Sequence, residues 1–204
     1  MHFFAWESFG NEGKGGVVMK KLIAAVLMVM SGFCFAETTP VMVSLISPIE
    51  VPGPEYDVTG VRLSLIYGQC HDFQGLDLGL INHTEGDFGG LSVGIVNIAN
   101  NKLYGVQYGF VNLAHSFYGL QDSLLNISKE EFQGVQYGWI NCAKNMTGVQ
   151  AGFLNISGDG RVSGLQFGLL NYAGTMDGGL QIGILNLIAN EGWAPCLPIV
   201  NGNF

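Results

Sequence analysis

Basic residues are scarce in this chain, and their scarcity limits the partners that the chain can bind. Eight Lys and Arg stand against sixteen Asp and Glu, a formal net charge of −8, and only 12% of the residues are charged. Binding to nucleic acid or to anionic lipid headgroups depends on clustered Lys and Arg. The composition therefore excludes nucleic acid as a partner and makes anionic headgroups poor ones.

Cysteine is also scarce, and the common catalytic motifs are missing. Of the four Cys, the three at Cys70, Cys142 and Cys196 are scattered over distant parts of the chain, which implies no disulfide scaffold. The sequence contains no nucleophile elbow, no Walker motif and no dinucleotide-binding motif. We therefore predict a protein that is not an enzyme, with no catalytic residue, no cofactor and no metal site.

A single apolar stretch near the N-terminus is too short to span a membrane as a helix. It covers residues 22–30, follows Met19-Lys20-Lys21 and leads to Ala36 before Glu37. That order is typical of a secretory signal peptide, which we place at residues 19–36. Residues 1–18 are predicted to be an untranslated leader. The mature chain from Glu37 then carries five basic and fourteen acidic residues, a net charge of −9.

Glycine is abundant, and it recurs at a regular spacing. A unit of about 15 residues reads Gly-apolar-Gln-apolar-Gly-apolar-apolar-Asn, as in Gly134–Asn141. Such self-similarity is the signature of a repeat protein, in which stacked neighbours build the core. The nine opening glycines are Gly60, Gly75, Gly90, Gly105, Gly119, Gly134, Gly148, Gly164 and Gly179. The closing asparagines are Asn82, Asn97, Asn112, Asn126, Asn141, Asn155, Asn171 and Asn186, with Tyr67 at that place in the first unit.

We number the eight places of a unit from its opening Gly. Apolar residues at the second, fourth and sixth places alternate with Gly and Gln, a period of two that indicates a strand. The adjacent apolar residues at the sixth and seventh places indicate a bend. The sequence therefore predicts an all-β repeat solenoid with rungs of about 15 residues. The Asn column is expected to form a buried ladder, whereas the Gln column fits either a second internal ladder or an outward polar strip.

The alternative fold is an antiparallel β-barrel in the outer membrane, with one strand per unit. Phe204 favours it, because many such barrels end in an aromatic residue, but Pro195 and Pro198 would remove ladder donors from the last strand. The two folds differ in where the apolar places point. A solenoid is expected to turn them into a narrow rod, and a barrel to turn them outward as a band.

Degenerate units flank the nine regular ones. Residues 37–59 are predicted to form an N-terminal cap that contains the degenerate unit Pro40–Ser47. Residues 60–191 hold the nine tandem repeats. Residues 192–204 are predicted to form a C-terminal capping repeat, in which Asn201 follows Asn186 by 15 residues. Atypical end units are what an open stack needs, because its last faces meet water.

The aligned repeats resemble a bacterial family of exported surface-repeat proteins whose units read like Gly-Leu-Gln-Leu-Gly-Leu-Val-Asn. Tyr56–Leu63 is similar to the opening segment of that family, and Trp193–Asn201 is similar to its close. The resemblance covers residues 40–204. It implies export and a location at the cell surface, in the envelope, at the outer membrane or in the periplasm, and it names no activity.

Two groups of side chains are candidates for a functional site. Cys70-His71-Asp72 is the densest group of potential metal ligands, but one triplet falls short of the four converging ligands of a structural zinc site. Asp122 occupies a fourth place that is otherwise apolar, and we interpret it as a local bulge that faces water. We predict a surface or envelope protein that presents a regular face for adhesion or structural interaction. Its partner would be a protein or glycan at the cell surface, and the alternative is a transport or structural role as a membrane barrel.

Overall fold

The structure is a computed structural model, and it describes residues 38–204. The predicted leader and signal peptide lie outside these residues. The strands are β1 (Thr38–Ile46), β2 (Ile49–Val51), β3 (Asp57–Cys70), β4 (Phe73–Thr84), β5 (Phe88–Val93), β6 (Val96–Tyr108), β7 (Val111–Asn190) and β8 (Cys196–Asn203). The described part of the chain contains no helix.

Successive units pair in parallel. Gly75 of β4 lies beside Gly60 of β3 and beside Gly90 of β5, and the register continues through Gly105 of β6 to Gly119 of β7. The long strand β7 is an extended chain that winds through the remaining rungs, because its buried side chains bond to equivalents 14 to 16 residues away. The prediction of a β-solenoid is confirmed. The antiparallel barrel is wrong, because neighbouring units run in the same direction.

One half of the interior is apolar. The residue two places before most opening glycines is fully buried and forms a column, in which Phe73 stacks on Phe88 with ring centroids 5.0 Å apart. The residue two places after each Asn forms a second, smaller column. The large column contains Val58, Phe73, Phe88, Leu103, Phe117, Phe132, Met146 and Val162, and the small one Thr84, Ala99, Ala114, Ser128, Ala143, Ser157, Ala173 and Ile188.

The other half of the interior is polar and contains the predicted Asn ladder. Each Asn amide donates to the Asn one rung further along, as Asn126 does to Asn141 at 2.9 Å. The same amide donates to a backbone carbonyl, that of Tyr137 at 2.9 Å. Both bonds are needed, because a buried amide without partners is costly. The ladder runs without a break from Asn82 to Asn186.

The Gln column is a second internal ladder, so the outward alternative is wrong. Gln136 donates to Gln121 one rung earlier at 2.8 Å, and also to the backbone carbonyl of Cys142. The Gln amides therefore donate towards the N-terminus, whereas the Asn amides donate towards the C-terminus. The ladder dipoles oppose each other. Each ladder also leaves one buried acceptor without a partner in the described residues, on Asn82 at one end and on Gln181 at the other.

Both ends of the stack are covered by an antiparallel strand. β2 folds back on β1, with Val43 beside Val51, while β1 pairs in parallel with β3. At the other end β8 pairs with the last rung of β7, with Ile182 beside Val200. The C-terminal segment thus runs against the direction of the rungs and adds no further parallel one. The outer strands of the sheet are therefore β2 and β8, of three and eight residues, and not a full rung of the stack. Short outer strands limit pairing with other chains.

The first rung departs from the alignment of the repeats. Gly68, rather than Tyr67, lies beside Asn82, because the register shifts between Ser64 and Tyr67. A side chain at Gly68 would collide with the Ser64 hydroxyl, so no amide fits there. The Asn ladder therefore begins at the second rung, and Tyr67 bonds instead to His83 at 2.7 Å.

Candidate functional site: an apolar face along the stack

The apolar residues at the second, fourth and sixth places point outward. From the sequence we expected this orientation in a barrel and the inward orientation in a solenoid. Tyr137 is 60% exposed and Trp139 68%, whereas Gln136 between the second and fourth places is 0% exposed. The reason is that Gln at the third place and Gly at the fifth lie on the opposite side of the same strand, and the amides of the narrow interior satisfy one another. We call the outward second, fourth and sixth places the apolar face.

A groove runs along the apolar face between the fourth-place and sixth-place columns. Its volume is about 960 Å³. Fifth-place glycines such as Gly109 and Gly138 form its floor, because a side chain there would point inward and meet the Asn ladder. The walls are Tyr108, Tyr137 and Phe167 on one side and Phe110, Trp139 and Phe153 on the other.

Asp122 is the one charged residue that lines this groove. It lies beside Tyr108 in the fourth-place column, one rung before Tyr137. The side chain points outward into the groove and is half-buried. Asp122 pairs with Tyr108 without a shift of register, so the expected local bulge is absent. The neighbouring Ser123 turns inward and donates to Asn126 at 2.8 Å, which keeps the strand in register. Asp122 is therefore a carboxylate held within an otherwise uncharged face.

Charged residues are concentrated on the opposite side of the rungs, which we call the charged side. Lys144 pairs with Glu130 at 2.6 Å, and Arg161 pairs with Asp177 at 3.1 Å. These pairs are exposed and contribute little to stability. These pairs show instead that the two sides of a rung differ. The charged side is suited to contact with water, and the apolar face is suited to contact with an apolar partner.

A buried ion pair near the first rungs escaped the sequence analysis. Arg62 and Asp77 occupy the third places of the first two units, where the fourth to ninth units have Gln, and both are almost fully buried. The guanidinium binds Asp77 through two hydrogen bonds of 2.8 and 2.6 Å. It also donates to the Cys70 sulfur, and burial raises the pKa of that thiol to about 11. The sequence signal for this pair was the presence of two charged residues at third places, where Gln recurs in other units.

The histidines do not come together at one site. His71 bonds to Asp57 at 3.0 Å and lies 3.8 Å from Asp72, and the bond to Asp57 raises its pKa. Cys70, by contrast, points into the interior. Burial lowers the pKa of His83. Within residues 38–204, Asp57, His71 and Asp72 are the one group whose ligand atoms lie within 4.8 Å of one another.

The two carboxylates of that group have a structural role. Asp57 accepts a hydrogen bond from the backbone amide of Asp72 at 3.1 Å, and Asp72 accepts one from Asp87 at 2.7 Å. Asp87 in turn accepts one from Lys102. Each carboxylate therefore ties a corner of one rung to the next, which accounts for the column of Asp at this corner.

A comparison with models of known protein families, with curated proteins and with solved structures finds no match. The resemblance to exported surface-repeat proteins thus remains a prediction from the motifs. Across residues 38–204, no helix has the length and apolar character required to cross a membrane.

Proposed function

We propose that this protein is a non-enzymatic, exported repeat protein of the bacterial surface or envelope, which binds a partner through its apolar face. The observation that carries the proposal is the set of outward-facing side chains at the second, fourth and sixth places of nine rungs, which are apolar at every place except Asp122. An isolated exposed apolar residue needs no explanation, but a contiguous patch of this kind marks an interaction surface.

The size of the apolar face supports a specific partner. Nine rungs at a spacing of about 4.8 Å give a length of ~38 Å, and five residues of strand give a width of ~17 Å. The product is ~650 Å² on one partner. Stable interfaces bury about 800 Å² per partner, with a lower limit near 500 Å². The face is therefore large enough for a standard interface without any further surface.

The composition of the face supports binding without catalysis. Aromatic residues are the residues that most often dominate binding energy, and six of them line the groove. The lining contains a single carboxylate, Asp122, and no histidine, cysteine or lysine. General acid and base catalysis requires positioned titratable groups, usually in pairs.

The face is tested by removing its aromatic rings. In one variant Tyr137, Trp139 and Phe153 are changed to Ser, and in the matched control Glu130, Glu131 and Lys144 on the charged side are changed to Ser. We expect binding of the purified chain to isolated bacterial envelopes to fall at least ~10-fold in the first variant, because hot-spot aromatics each contribute more than about 1 kcal/mol. Equal binding by both variants would show that the face is not the binding surface.

The export part is tested separately. Expressed from Met19 in a Gram-negative host, the chain is expected in the envelope fraction and accessible to added protease on whole or permeabilised cells. A chain that lacks residues 19–36 is expected to stay in the cytosol. Cytosolic accumulation of the longer chain would contradict export.

A further inference from the structure

We propose that the partner of the apolar face is a second copy of this chain, docked face to face in an antiparallel dimer. The proposal rests on the proposed function, since it uses the same face. What identifies the partner is the order of large and small side chains along the fourth-place column. From the fourth rung to the eighth, that column reads Tyr108, Asp122, Tyr137, Ala151 and Phe167.

The column alternates between projecting rings and gaps. Rings at Tyr108, Tyr137 and Phe167 are two rungs apart, about 9.6 Å, and each is more than half exposed. Between them Asp122 and Ala151 leave gaps of one rung. A surface with the same two-rung period, displaced by one rung, would fill these gaps with its own rings. The chain itself offers such a surface.

A two-fold axis parallel to the strands brings the columns into this relation. It reverses the order of the rungs, so that the fifth rung of one copy meets the sixth rung of the other. Tyr108 then faces the partner's Ala151, and Phe167 faces the partner's Val93. In the sixth-place column Trp139 faces the partner's Leu124. In the fourth-place column each ring thus meets a smaller side chain, as close packing requires. In the sixth-place column Phe110 faces the partner's Phe153, and two aromatic rings pack favourably when they are offset or edge to face.

Asp122 restricts the registers that the two copies can adopt. With the axis between the fifth and sixth rungs, the Asp122 carboxylate faces the hydroxyl of the partner's Tyr137, which donates a hydrogen bond to it. Moving the axis by one rung towards the C-terminus would set Asp122 against the ring of the partner's Phe167 and bury the charge without a donor. Moving it by one rung towards the N-terminus would set Asp122 against the partner's Tyr108. The double variant Tyr108→Ala with Ala151→Tyr distinguishes that register, because it restores a contact between the fourth and seventh rungs alone. A parallel dimer would set it against the partner's Asp122, and like charges repel. The half-buried carboxylate is thus satisfied in the antiparallel registers that set it against a tyrosine of the partner.

The area and the charge distribution also suit two copies. With the axis between the fifth and sixth rungs, eight rungs of each copy meet, which gives about 570 Å² per copy and ~1,150 Å² in total. That exceeds the roughly 1,000 Å² that a biological interface should bury. The charged sides of both copies, with the ion pair of Lys144 and Glu130, would remain in water. Two acidic chains can therefore associate without bringing their acidic surfaces together.

The first test is the mass of the full chain in solution. Sedimentation velocity at tens of micromolar is expected to give twice the 21.9 kDa of one chain. Ala151→Trp fills the gap that receives the partner's Tyr108, and is expected to give a monomer while leaving the face apolar. The matched control Lys129→Trp on the charged side is expected to remain a dimer.

The second test is a compensating double variant that should restore the dimer lost in Ala151→Trp. The double variant Tyr108→Ala with Ala151→Tyr moves the ring to the opposite copy and is expected to recover the dimer. Tyr137→Phe is expected to weaken the dimer about 10- to 100-fold, because the carboxylate loses its donor, and the addition of Asp122→Leu is expected to reverse most of that loss.

The outcomes separate this inference from the proposed function. A wild-type chain that stays monomeric at 100 micromolar, or a dimer that Ala151→Trp leaves intact, overturns the inference. If the monomeric chain binds phosphatidylcholine vesicles and the Ser variant of Tyr137, Trp139 and Phe153 does not, the face binds a membrane instead. In that case the dimer is wrong and the apolar face remains a binding face. If that variant binds envelopes as well as the wild-type chain does but is a monomer where the wild-type chain is a dimer, the proposed envelope contact fails and the dimer stands. If the variant also remains a dimer, both fail.

Discussion

Asn141 shows how a buried amide is satisfied in this fold. It accepts from Asn126 and donates to Asn155, both at 2.9 Å, and donates to the carbonyl of Ala151 at 3.1 Å. The side chain thus joins three rungs and supports the backbone at the bend. No apolar residue of that size can replace these bonds.

We therefore expect Asn141→Leu to destabilise the protein. It would leave the Asn155 carbonyl oxygen and the Ala151 carbonyl without their donor, at about 1–3 kcal/mol for each buried group. Urea unfolding followed by circular dichroism measures the change. Asn101→Leu is the control, because Asn101 is exposed and its replacement should alter stability by less than about 0.5 kcal/mol. Equal midpoints for the two variants would contradict a buried ladder.

Gly134 is fixed by its backbone and by the rung beneath it. Its φ is 140°, a value that L side chains rarely adopt, and a Cβ there would collide with the carbonyl oxygen of Gly119. Gly158 differs in both respects, because its φ is not positive and nothing lies within 4 Å of the added atom.

Gly134→Ala is accordingly expected to cost on the order of 3 kcal/mol, since backbone strain alone accounts for 1–3 kcal/mol. Gly158→Ala is expected to leave stability unchanged or to raise it by less than about 1 kcal/mol. Thermal unfolding of the two variants in parallel measures the difference. Similar melting temperatures would mean that the stacked glycines can move apart at little cost.

At the scale of the strand, the sequence predicts features that come from a repeated residue type. It does not predict which side of the strand faces the interior. The period and the Asn ladder followed from the spacing alone. The alternation of apolar residues with Gln and Gly shows two sides but not which is inward, and the usual preference for an apolar interior favours the wrong one. Arg62 was missed because a charge in one unit has no period, and Gly68 because a local bulge keeps the overall length of its unit.

The strand β8 closes the stack, and its removal is expected to open it. It covers the edge of the last rung by antiparallel pairing from Gly179 to Leu187. Deleting residues 193–204 would expose the backbone donors and acceptors of that rung, which then pair with another chain. In an Ala151→Trp background, which removes face-to-face association, sedimentation should show end-to-end association of the truncated chain. The same background with only Phe204 removed should remain monomeric, and a monomeric truncation would show that the edge is harmless.

For the whole molecule, the stack behaves as a series of nearly equivalent rungs. Each rung contacts its two neighbours, so stability is the sum of the rungs and of the interfaces between them. Both ladders and both apolar columns repeat with the same period, as the pairs Gln121 with Gln136 and Asn126 with Asn141 show. The contacts of a central rung are the same whatever the total number of rungs. One whole rung can therefore be deleted, provided that all of its residues are removed.

Deletion of residues 134–147 removes one whole rung, and it is expected to give a shorter but cooperatively folded stack. Gln121 would then bond to Gln150, and Asn126 to Asn155, in the geometry that those residues already use. Deletion of residues 134–140 is the control, because it removes half a rung. An odd shift turns every side chain of the strand to the other side, which would bring apolar residues into the amide ladders and the amides into water. Circular dichroism and thermal unfolding, at concentrations where the chains are monomeric, should show a sharp transition for the first variant and none for the second. If both fold equally well, the ladders do not set the register, and the apolar columns alone would have to hold the rungs in place.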